Sequence, residues 1–133
     1  MLGRHTHTGV PVPALTAPVQ IDLDANKNLY VVENTSPGNR VSFMAASESY
    51  AAVYRIANTA GAACISTTSC GEGGAATDAQ MGIVIRDLVV SDEFNVFVLD
   101  NSEVVLHKFG FCNATDFTSA PIASPTISPS AQD

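Results

Sequence analysis

A seven-residue stretch occurs twice in this chain and constrains its fold more than any other feature. Asn28-Leu29-Tyr30-Val31-Val32-Glu33-Asn34 and Asn95-Val96-Phe97-Val98-Leu99-Asp100-Asn101 lie 67 residues apart. They match in order as amide, aliphatic, aromatic, valine, aliphatic, carboxylate and amide. The flanks match as well. Ile21-Asp22-Leu23-Asp24 precedes the first copy at the distance at which Leu88-Val89-Val90-Ser91 precedes the second. A period of this size marks two copies of one structural unit.

Each heptapeptide is apolar on both faces. In a strand Leu29 and Val31 point one way, Tyr30 and Val32 the other, so the strand sits inside a sheet covered on both sides. The run is too short for a buried helix and is rich in aromatic and β-branched residues. The preceding strand alternates, with Val19, Ile21 and Leu23 on one face and Gln20, Asp22 and Asp24 on the other. The polar turn 24–28 joins the two, and its asparagines tolerate left-handed backbone. Each copy is therefore a hairpin of one amphipathic and one buried strand. Tyr30, Val31, Val32, Phe97, Val98 and Leu99 are the predicted core, with Leu29 and Val96 beside them.

Pro18-x-x-Ile21-x-Leu23-Asp24, the first heptapeptide and Asn39-Arg40-Val41-x-Phe43 together resemble the NHL repeat. The run Gly71-Glu72-Gly73-Gly74-Ala75-Ala76-Thr77-Asp78-Ala79-Gln80-Met81 is similar to the glycine-rich linker of NHL arrays. The second copy departs from the pattern in three places. It has Ile85 for Pro18, Ser91 for Asp24, and Ser102-Glu103-Val104 where the first has Asn39-Arg40-Val41. The resemblance implies an all-β fold, a partial β-propeller of two four-stranded antiparallel blades. The blades span 9–57 and 71–118, joined by a long loop, 58–70. Strands are expected near 19–23, 28–33, 40–44 and 51–57, then near 87–91, 95–100 and 103–109. The last strand of the second blade is reduced to a ragged edge within 111–117. A propeller ring needs more than two blades, so the resemblance implies either the rest of a longer propeller or self-association.

Outside the blades, 1–8 is a polar segment expected to be disordered, and 119–133 is a Ser/Pro-rich tail expected to be disordered. Thr77 and Gln80 fit a capping box, which predicts one helical turn over 77–81 with Thr77 as its N-cap.

Charge excludes one class of partner. Six basic residues scattered singly, in a chain of formal net charge −7, make no basic patch for nucleic acid. No apolar run is long enough to span a bilayer. Cys64 and Cys70 stand with five residues between them in a small-residue loop. A disulfide there would pin the insertion; the alternative is two free loop thiols. Cys112 has no evident partner. Asn34-Thr35-Ser36 and Asn113-Ala114-Thr115 fit the N-glycosylation pattern, with Asn34 and Asn113 as acceptors. These features lean toward an extracellular or secreted protein, although no apolar signal segment opens the chain.

Residues that could carry chemistry are few. His5 and His7 could touch one metal ion but read as solvated, and His107, beside Lys108, reads as a surface or rim residue. Serine lies in no nucleophile elbow. Asp22, Asp24, Asp87 and Asp92 fall where the inner strands of a propeller line its channel. There they could help hold calcium, which takes six to eight oxygens, only in a complete ring. The sequence therefore assigns no catalytic, cofactor or metal residue. It favours a binding or scaffold module that presents loops to a protein or carbohydrate partner. The alternative is part of a metal-dependent propeller hydrolase or lyase.

Overall fold

The computed structural model describes residues 11–64, 70, 75–91, 95–101, 105–110 and 122–123. Strands β1 (Pro18–Leu23), β2 (Leu29–Glu33), β3 (Arg40–Met44) and β4 (Tyr54–Ala57) form one antiparallel sheet in chain order. β5 (Ile85–Val90), β6 (Val96–Asp100) and β7 (Val105–Gly110) form the second, with the two-residue β8 (Ile122–Ala123) at its edge. Short 3-10 turns cover Ala46–Glu48 and Ala76–Asp78. The fold is all-β, and the two sheets are not closed into a ring. We call each sheet a blade.

Local chemistry sets the hairpins. Asp24 accepts from the N–H groups of Asn26 (2.8 Å) and Asn28 (3.0 Å), while Lys27 takes a positive φ of 69°. In the second blade Ser91 does the same work: its Oγ accepts from Asn95 N–H at 3.1 Å. The substitution of Ser91 for Asp24 thus preserves the turn. Even irregularities repeat. The register of β1 on β2 slips between Pro18 and Gln20, and that of β5 on β6 slips between Ile85 and Asp87, each slip 67 residues from the other. A bulge kept in both copies re-aims the strand start rather than marking a defect.

The blades pack face to face, with β1 beside β5. Tyr30, Val32, Val41, Phe43 and Ile56 of the first blade form one core with Leu88, Val90, Val96, Val98 and Phe109 of the second. Ala76, Ala79 and Met81, from the segment leading into β5, belong to the same core. Tyr30 and Phe43 meet edge to face, with centroids 5.3 Å apart, a favoured aromatic geometry. The other face of the first blade is crossed by segment 11–17, from a bridge between Val12 and Val53 to the bond from Asn34 N–H to Ala17 O. Beneath it Val31, Glu33, Ser42 and Val53 are buried.

Several sequence expectations change here. Tyr30, Val31, Val32, Val96 and Val98 are buried, but Leu99 is 41% exposed and Phe97 and Leu29 are only half-buried. Leu99 and Phe97 share the face of the second blade that, among the described residues, no other sheet covers. The polar face of β1 turns toward the second blade, which leaves Val19, Ile21 and Leu23 exposed. The helical turn falls at Ala76–Asp78, with Ala75 at its N-cap and no side-chain cap, so Thr77 lies inside it. The fourth strand of the second blade is Ile122–Ala123, inside the segment expected to be disordered. An edge strand needs only backbone donors and acceptors, so it leaves no periodicity to read. β4 is shorter than the 51–57 expected. The expectations for 1–8, His5, His7, Asp92, Cys112 and Asn113 lie outside the described residues.

Candidate functional site

The two blades share a buried carboxylate. Glu33 and Asp100 end the second strands and are both fully buried. Each accepts a backbone N–H from the segment leading into its own blade: Thr16 N–H to Glu33 Oε2, and Gly82 N–H to Asp100 Oδ2 at 2.7 Å. Each has a second partner on the third strand. Ser42 Oγ donates to Glu33 Oε1 at 2.6 Å, and His107 Nε2 lies 3.0 Å from Asp100 Oδ2. Ser42 pairs with Val31, and His107 pairs with Val98, so they are structural counterparts. A long acid with a short partner in one blade becomes a short acid with a long partner in the other.

His107 is therefore not a surface residue. It is buried, stacks on Phe109 at 6.1 Å and faces the first blade. Sequence comparison at the 67-residue offset misses this pairing. The connection from Asp100 to its cross-strand partner Val105 is two residues shorter than that from Glu33 to Arg40. The counterpart relation makes a test. Asp100→Glu and His107→Ser should each cost about 1–3 kcal/mol, and the double variant should cost less than their sum by about 0.5 kcal/mol or more. Urea denaturation of the four proteins measures it; strict additivity would refute the shared role.

Three of the predicted channel acids, Asp22, Asp24 and Asp87, accept hydrogen bonds. Asp24 Oδ2 accepts from Asn28 Nδ2 and from the Tyr30 hydroxyl, both at 3.0 Å, besides the two turn N–H groups on Oδ1. Asp22 accepts from Leu23 N–H (2.9 Å) and, across the blades, from Val90 N–H (2.8 Å). Asp87 accepts from Leu88 N–H at 2.8 Å. Each of these three carboxylates thus accepts at least one backbone N–H of its own strand or turn. Among the described residues no three metal-type side chains converge.

Burial pushes the Tyr30 phenol well above its ordinary value, and the nearby Asp24 charge and hydrogen bond push it further. A phenol held neutral in this way stabilises the fold fully below about pH 10. That contribution is lost as pH rises, because the unfolded chain releases the proton first. In an alkaline titration of wild type and Tyr30→Phe, the two native proteins should give equal phenolate absorbance. Tyr30 should ionise only on unfolding; extra phenolate in native wild type would refute this.

The opposite end of the molecule is a knot of loops. Gly38 N–H donates to Gly61 O (2.9 Å), and Asn39 N–H to Gly82 O (3.2 Å). Asn58, at a positive φ of 51°, donates from Nδ2 to Asn39 O (2.6 Å) and Ala62 O (2.8 Å), and accepts Ala62 N–H at 2.9 Å. Cys64 and Cys70 form a disulfide with Cα atoms 5.4 Å apart. Both cysteines are held on the lead-in segment: Cys64 N–H donates to Met81 O, and Gln80 N–H to Cys70 O. Segments 34–39, 58–64 and 80–82 are thus one unit. Arg40 reaches it by donating to Thr59 O at 3.4 Å. Burial, then the Arg55 charge, lower the Arg40 guanidinium pKa, and Glu33 opposes them. Asn34 is exposed beside the knot, where a glycosylation acceptor can be reached. The glycines and Asn58 escaped sequence reading because their partners are backbone carbonyls of distant segments.

Among the described residues no helix is long and apolar enough to cross a membrane. No protein family, curated protein or solved structure matches the chain.

Proposed function

We propose that this chain is a binding module of NHL-type propeller architecture, presenting its loop knot to a protein partner. The reading is supported chiefly by the way three separate segments and a disulfide are fastened into one platform at one end of the blades. Binding loops held by a rigid scaffold lose little entropy on association. A protein is favoured over a carbohydrate because segments 34–39, 58–64 and 80–82 contain no aromatic ring to stack on a sugar. The buried carboxylates support a structural role, since each is spent on backbone or side-chain donors.

A photo-crosslinking side chain at Ser36, on the knot, should capture a partner from native extract. The same group at Asn26, in the turn at the other end, should not. Equal capture at both sites, or none at Ser36, would reject the reading, and saturable binding on a glycan array would redirect it to sugars.

A further inference from the structure

We infer that a second copy of this chain docks head to tail, the open β1 side of the outer face of its first blade seated on the exposed outer face of the second blade. The inference rests on the counterpart relation between blades and not on the loop knot. Inside the molecule one such joint is already made: Tyr30 and Val32 of the first blade are buried in one core with Leu88 and Val90 of the second. The counterparts of all four residues face solvent or are partly open. Ile21, the counterpart of Leu88, is 64% exposed against 3%, and Leu23, the counterpart of Val90, is 46% exposed against 9%. Leu99, the counterpart of Val32, is 41% exposed against 0%. Phe97, the counterpart of Tyr30, is half-buried where Tyr30 is fully buried.

Each open face is thus the natural complement of the other, and one chain carries both. They lie on opposite sides of the two-blade stack, so a copy cannot satisfy itself. A contact of this kind is heterologous, and it propagates into a ring or a filament. The outer face of the first blade comes with its crossing segment, 11–17, already in place, as segment 75–82 is in place within the molecule.

Polar bookkeeping favours the joint. Within the molecule Asp22 reaches across to cap Val90 N–H. Val89 stands at the Asp22 position in the second blade and cannot do this for the next copy. The N–H it would need to cap is that of Leu23, which already donates to its own Asp22. The new joint therefore replaces a polar contact with an apolar one and strands no donor. Val89 is 50% exposed, the state expected of an apolar residue awaiting cover. Lys108 occupies the position of Phe43, each paired to the aromatic of the second strand. That cation confines the apolar contact to the inner strands.

Sedimentation of the full chain tests this with two surface variants. Wild type should run above the 13.9 kDa monomer in a concentration-dependent way. Ile21→Lys removes one face and Leu99→Lys the other, so each alone should run as a monomer with unchanged circular dichroism. Mixed in equal amounts they should form a dimer and stop there, since each supplies the face the other lacks. A monomeric wild type at all concentrations would overturn the inference. So would a mixture that stays monomeric, or one variant that self-associates as wild type does. None of these outcomes bears on capture at Ser36, so the two readings fail separately.

Discussion

Val98→Asp should unfold the protein in denaturant that leaves Leu99→Asp native. The two positions are adjacent on β6 but point to opposite faces. Val98 is fully buried in the joint between blades, paired with Leu88 and His107. A carboxylate there would have no donor and would lie on the same face as the buried Asp100, so burial and like charge act together. The expected loss is about 4 kcal/mol, a large part of the roughly 5–15 kcal/mol that holds a typical domain. Leu99 is 41% exposed, and its replacement should cost no more than about 0.5 kcal/mol. Urea midpoints at low protein concentration separate the two. Comparable midpoints would mean that the orientation of β6 is wrong.

Gly38→Ala should be the most damaging single methyl addition in the loop knot. A Cβ at Gly38 would lie 2.2 Å from Ala62 O, 2.6 Å from Ala62 C and 2.7 Å from Met81 O. All three obstacles are backbone, so no rotamer change relieves them. Segment 34–39 would have to leave its two neighbours, breaking the bonds from Gly38 and Asn39 N–H. Overpacking of this severity costs about 3 kcal/mol. Gly61→Ala is the informative comparison. Gly61 has a positive φ of 67°, but its nearest obstacles are the Arg40 and Thr35 side chains at 3.2 Å. The left-handed penalty there is about 1–2 kcal/mol. Thermal unfolding should therefore rank Gly38→Ala below Gly61→Ala; the reverse order would show that backbone conformation, not space, governs the knot.

The duplicated heptapeptide made most of the framework legible. It located β2 and β6, and the alternation of 19–24 located β1. Tyr30, Val31, Val32 and Val98 are buried because a strand apolar on both faces requires it. Leu99 and Phe97 carry the same pattern yet stay partly open, because a pattern encodes which face wants cover, not whether cover is present. His107 departs from its expected rim position for a different reason. Its neighbour Lys108 is a surface-type residue, but successive strand residues alternate, and the inward one meets Asp100. Cys64 and Cys70 were legible as a candidate pair by spacing alone. Gly38 and Asn58 were not, since their roles depend on carbonyls brought together only by the fold.

The bond from Val90 N–H to Asp22 spans 68 residues, whereas the lead-in bonds to Glu33 and Asp100 span 17 and 18. Within each sheet every strand pairs with its neighbour in sequence. The entropy of closing a loop rises with its length, and local topologies assemble faster than nonlocal ones. Each sheet, fastened by its own lead-in segment, can therefore zip up independently as a local kinetic unit. The seam between sheets is therefore expected to form last, as Asp22 reaches the edge of β5. The chain thus separates the act of building a sheet from the act of joining sheets. In the proposed head-to-tail assembly the second act would be repeated between molecules.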